Sequence, residues 1–139
     1  MSATFNKFDT FAKAMADKVH NLGADTLQVA LCATANTPVR TNSVLANLTE
    51  ISYTNCSSRV ISTTSDAQST GTYKLLLAQL VLTASGGNIA AFQYVVVYNN
   101  TATNKELIGW FDYGASLVVT NGSTFTIGFD QVNGFLQIV

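Results

Sequence analysis

AFQYVVVYNNTATNKELIGWFD, residues Ala91–Asp112, decides how the rest of the chain is read. An apolar, aromatic run from Phe92 to Tyr98 meets a polar connection, Asn99–Asn104, and a second apolar run from Leu107 to Phe111. Tyr94, Val95, Val96, Val97 and Tyr98 are β-branched or aromatic, the side chains that fit a pleated, half-buried surface. The Asn/Thr-rich connection suits a surface turn. The stretch predicts a β-hairpin at the centre of an antiparallel sheet.

On its N-terminal side, Thr26–Ala33 alternates Leu27, Val29 and Leu31 against Gln28, Ala30 and Cys32, the period of a half-buried strand. Thr34–Glu50 has weak periodicity, one proline (Pro38) and a small apolar cluster, Val44, Leu45 and Leu48. It reads as a long loop with one helical turn, of the kind that is functional or held by a partner. Ile51–Tyr53 and Arg59–Ser62 are short strand candidates, and Ser65–Gly71 reads as a turn. Thr72–Thr83 carries two alternating runs out of phase by one residue, which predicts a bend near Ala78.

Ser85–Gly86–Gly87–Asn88 is a turn signal before the central hairpin. Beyond the hairpin, Tyr113–Gly114 predicts another turn. Ser116–Val119 and Ser123–Phe129 then read as strands about an Asn121–Gly122 hairpin turn. Asn133–Gly134 leads into a last strand, Phe135–Val139.

The N-terminus differs. Phe5, Phe8, Phe11, Met15, Val19 and Leu22 recur at spacings of three and four, which predicts an amphipathic helix over Phe5–Leu22. Gly23 is a natural residue to follow it. Its stripe packs either on the chain's own sheet or on a neighbouring subunit. One helix and about eight short strands predict a mainly β fold, an antiparallel sandwich or jelly-roll-like barrel, in one domain with residues 1–23 as the helical segment.

The 139 residues suffice for one domain with a real core. Charged residues make up only 11%, against roughly 25% in ordinary proteins. Either the solvated faces use hydroxyls and amides, or much of the surface meets other subunits, since interface cores are depleted in charge. Net charge is −1, and the scattered Lys and Arg form no patch for nucleic acid. No apolar run is long enough to predict a membrane span, and no apolar leader predicts secretion. Cys32 and Cys56 could pair, but two cysteines make no disulfide framework, and two free thiols are the preferred reading.

Catalysis has little to draw on. His20 is the only histidine, and at the polar end of the predicted helix it reads as a surface residue. It gives no zinc spacing with two separated cysteines. No nucleophile elbow or phosphate loop occurs. Glu106 and Asp112 flank the Trp110 strand, but six residues at roughly 3.3 Å rise place them about 20 Å apart, too far for a glycosidase pair. The expectation is a non-enzyme without cofactor or metal. Trp110, Phe111 and Tyr113 point to both faces of a strand, as core plus subunit contact or as a sugar-stacking platform. Phe5, Phe8, Phe11, Met15, Val44, Leu45, Leu48, Trp110 and Tyr113 are the candidate interface.

Three segments together, TLQVALCAT, FQYVVVYNNTATNKELIGWFDYG and STFTIGFDQVNGFLQIV, resemble a family of small tailed-bacteriophage virion proteins. That family has a "KVAL" strand, a "YAVLYNDTAT…LIGW/YxDyG" hairpin and a terminal "FTIxFDxxGxLxL" hairpin. The resemblance runs from about Asp25 to the end and involves strands and turns, with no catalytic motif. It implies a structural protein of the particle, made in the host cytoplasm. The preferred role is capsid decoration on the shell exterior, as a homo-oligomer, a trimer by preference, with the major capsid protein as partner. The alternative is a tail-associated or receptor-binding module for host carbohydrate.

Overall fold

The computed structural model describes residues 3–139. The chain forms a mainly β antiparallel sandwich. Its principal sheet has five strands in the order β1 (Phe5–Lys7), β8 (Leu107–Leu117), β7 (Phe92–Asn99), β2 (Leu27–Cys32), β3 (Val60–Ile61). A three-stranded sheet orders β10 (Leu136–Ile138), β5 (Thr72–Leu77), β4 (Thr63–Ser69). A third sheet pairs β6 (Leu80–Thr83) with β9 (Thr124–Ile127). The expected central hairpin is present: β7 pairs with β8 on one side and β2 on the other. The expected bend falls at Ala78–Gln79, where β5 ends and β6 begins in another sheet.

The principal sheet is covered on both faces. Leu27, Val29, Leu31, Val95, Val97 and Ile108 face Leu75, Leu77, Leu82 and Ile127 of the smaller sheets. On the far side, Ala30, Cys32, Tyr94, Val96, Tyr98 and Leu107 gather under Phe8, with Leu45, Leu48 and Trp110 packed against them. β2 is therefore buried nearly throughout, not half-buried as its alternation suggests. Small Ala30 and Cys32 occupy the face that a polar residue would take if it met water. Ile108 is an extra residue between the Val97–Gly109 and Tyr98–Leu107 pairs. This bulge lets both Leu107 and Ile108 be buried, on opposite faces.

The N-terminal helix is present but shorter than its stripe predicts, Phe11–Ala16. Phe5–Lys7 is instead a strand antiparallel to β8. The stripe therefore divides. Phe5 reaches the inter-sheet core, Phe8 the opposite face, and Phe11 is buried from the helix itself. A three-residue spacing fits a helix, but it also fits a strand that crosses the sheet edge and then turns. Gly109 permits the crossing: a Cβ there would overlap the Phe5 ring and lie 2.8 Å from the Asn6 carbonyl oxygen.

Other boundaries also move. Ser65–Ser69 is strand rather than turn, because β4 is an edge exposed on nearly every residue and has no alternation to read. The turn itself is Thr70–Gly71, with φ of +49° and +83°. Such a left-handed pair favours Asn–Gly, and Thr is strained there. Thr70→Asn should raise stability by about 0.5–1 kcal/mol in guanidinium titration. No gain would mean that Thr70 is unstrained. Ile51–Tyr53 forms no strand, although the Ile51 N–H donates to Leu31 O at 2.9 Å. β8 runs through Tyr113–Gly114, where residues 113–116 bulge opposite Gln93 alone. Asn121–Gly122 does turn the chain, but β9 pairs with β6 and not with the segment before the turn.

Candidate interaction surface

Where β1, the β8 bulge and the segment between β9 and β10 meet, the sandwich is open. A groove of about 740 Å³ runs there, lined chiefly by Phe5, Phe111, Tyr113, Phe125, Phe129 and Phe135. The period of β9 turns Phe125 and Ile127 inward and Thr124 and Thr126 outward. The rings pack edge to face. Phe5 lies 5.0 Å from Phe135, Phe129 lies 5.5 Å from Phe135, and Tyr113 lies 5.7 Å from Phe125 at 85°. Phe5, Phe111 and Phe125 are only half-buried, and Tyr113 is 40% exposed. Among the described residues, the one charged side chain in the lining is Asp130. Its carboxylate accepts from the backbone N–H groups of Asn133 and Val132 and from the Asn133 amide, and these bonds hold its pKa below the usual value.

A second, shallower surface of about 510 Å³ joins Val44, Leu45 and Leu48 to Thr103, Asn104 and Lys105. The expected helical turn is the 3-10 turn Leu45–Asn47. Asn47 Oδ1 accepts from the Ser43 and Val44 N–H groups, and Leu45 N–H donates to Lys105 O. Leu107 N–H donates back to Ser43 O, so the loop is bound along the β7–β8 turn.

The nine candidate interface residues are thus distributed, not joined. Phe5 and Tyr113 line the groove, and Val44, Leu45 and Leu48 line the second surface. Trp110 is half-buried on the far face, its indole 4.6 Å from the Phe8 ring. Phe8 and Phe11 are buried inside the chain, and Met15 packs against the inter-sheet core. The groove's other rings, Phe111, Phe125, Phe129 and Phe135, were not among the candidates. Nine of the fourteen aromatics lie between Phe92 and Phe135, and that clustering was the available signal. Their spacing gives no single period, because they come from three elements.

Two polar clusters lie apart from the groove. Arg59 stands with its guanidinium carbon 3.5 Å from the centre of the Tyr53 ring. It donates to Val29 O at 2.6 Å and lies 3.8 Å from Glu50. The Tyr53 hydroxyl donates to Glu50 at 2.5 Å and accepts from the Leu31 N–H. Burial first, then the bond to Glu50, raises the Tyr53 pKa. With its amide oxygen turned to them, Gln28 accepts from Arg59 and from the Tyr98 hydroxyl.

His20 belongs to the second cluster. It is buried, 5% exposed, and not on the surface as its place in the sequence suggested. The helix ends before it, and the ring turns inward against Phe11 and Asn99. Cys32 and Cys56 are free. Burial, then the charge of Glu50, pushes the Cys32 thiol up to about 11.

Comparison with family models, with curated proteins and with solved structures found no match for this chain.

Proposed function

We propose that the chain is a structural protein of a tailed-bacteriophage particle that decorates the capsid exterior and bridges major capsid subunits. The observation that carries this reading is the open aromatic groove. A lining of aromatic rings, four of them partly exposed, with one carboxylate among the described residues has the composition of an interface core, rich in aromatics and poor in charge. The three-segment resemblance supplies the particle, and the low charge of the chain agrees with it. In this reading the protein acts without catalysis or cofactor, and as a homo-oligomer, a trimer by preference. Closed symmetry would let one modest patch act several times through effective concentration.

A ligand that binds only the assembled shell stabilises it by about 2.7 kcal/mol per site at 100 times its dissociation constant. Particles lacking the protein should therefore rupture at lower temperature than complete ones. Purified protein should rebind them, with weak salt dependence because the groove offers little charge. Tyr113→Ala, at the exposed rim, should weaken rebinding about tenfold, the loss of one interface anchor. Stripped particles that are equally robust but no longer adsorb to host cells would overturn the reading. They would favour a tail-associated or receptor-binding module, with Tyr113 as a sugar-stacking ring.

A further inference from the structure

His20 links three parts of the chain. It follows α1 (Phe11–Ala16), its ring lies 5.4 Å from Phe11, and its Nδ1 is 3.0 Å from Asn99 Nδ2 at the end of β7. The orientation of Asn99 is fixed from both ends. Its Oδ1 accepts from the Thr101 and Ala102 N–H groups, and its Nδ2 also donates to Asp25 Oδ2 at 2.6 Å. An amide held in this way presents N–H to His20. Nδ1 must then be the acceptor, and the ring is neutral with its proton on Nε2.

Protonation would set an Nδ1–H against an N–H. Asn99 cannot turn over to accept without releasing Thr101, Ala102 and Asp25 together. Those bonds shape the Asn99–Glu106 turn, whose residues Thr103–Lys105 form one wall of the surface with Val44, Leu45 and Leu48. We infer that the His20–Asn99–Asp25 cluster is an acid-sensitive latch, closed by neutral His20, that holds this turn and the apolar surface beside it.

The groups facing His20 are few. Burial opposes its protonation more strongly than Glu106 and Asp25 favour it, so the folded pKa lies below the ordinary 6.5. Lys105, beside Glu106, is directed to Asn100, which accepts its ammonium through both the backbone and side-chain oxygens. His20 Nε2 and Glu106 Oε2 are both buried without a partner among the described residues. With the folded pKa lowered, the latch contributes its full stability above about pH 6.5. It is lost as pH falls from there through the folded value.

His20 is the only histidine, so its ring nitrogens are read without ambiguity by NMR of the full chain. A neutral ring protonated on Nε2 and titrating below 6.5 is expected. Hydrogen exchange at the Thr101 and Ala102 amides, corrected for its intrinsic pH dependence, should accelerate about tenfold per pH unit below 6.5 until the folded ring titrates. His20→Asn keeps a short acceptor near Asn99 but cannot titrate there, and its corrected exchange should stay flat. If that variant fails to fold, the tautomer and titration of the native ring decide alone. A proton on Nδ1 at neutral pH, titration at or above 6.5, or the same acceleration in His20→Asn would overturn the latch.

Discussion

Replacing Phe8 with alanine should destabilise the isolated chain by about 3–5 kcal/mol, the usual cost of emptying a buried phenylalanine site. Phe8 is fully buried, and its ring closes the far face of the principal sheet over Ala30, Cys32, Val96 and Trp110. Its N–H donates to Ile108 O and its carbonyl accepts from Phe11 N–H, so the backbone there is fixed and cannot collapse into the gap. Phe8→Asp should prevent folding, since it would bury an unpaired charge. Denaturant titration reads both. This matters for function because the loss should appear with no partner present. A Phe8→Ala chain that melts like wild type alone, yet no longer binds particles, would show that Phe8 is a docking residue and that the far face is not packed as described.

Arg59→Met should cost about 2–4 kcal/mol, somewhat below the range for breaking a fully buried ion pair. The Arg59 and Glu50 side chains keep 18% and 28% exposure. The variant leaves Glu50 without its cation, Val29 O without its side-chain donor and Tyr53 without its stacked partner. Arg59→Lys should recover less than half of the loss, because an ammonium cannot both stack on the ring and fork to Val29 O and Gln28. The Arg59→Met, Glu50→Gln double variant should be more stable than Arg59→Met alone, since it no longer buries an unpaired carboxylate. If Arg59→Met melts within about 0.5 kcal/mol of wild type, the range of an ordinary surface change, the cluster does not hold the β3 edge against β2.

The fold class could be read from strand-length apolar runs and turn residues, which are local signals. Phe92–Tyr98 and Leu107–Phe111 are rich in the β-branched and aromatic side chains that fit a strand, and the polar connection between them suits the surface. The same holds for the phase shift at Ala78, the turns at Gly86–Gly87 and Asn133–Gly134, and the helical turn near Leu45. The interface candidates were legible in part. The Val44–Leu48 cluster was identifiable as a small apolar group in a weakly periodic loop, and Tyr113 as part of an aromatic run that must point to both faces of a strand. The groove was not, because its rings come from β1, β8 and the C-terminal segment, and only packing brings them together.

What the sequence alone determined is therefore the alternation of strands and turns, the central hairpin and the scarcity of charge. The tertiary structure alone decided which face each strand buries and what each edge meets. The Phe5–Phe8–Phe11 spacing fits a helical stripe, but pairing to the β8 edge adds ladder hydrogen bonds and places Phe5 and Phe8 in two different cores. A six-residue helix has too few turns to outweigh that gain, since helix nucleation is costly and most helical stability comes from packing. His20 follows the same rule. Its place at the polar end of the predicted helix suggested solvent, and the side chain went inside because Asn99, seventy-nine residues away, offers it a hydrogen bond that burial strengthens.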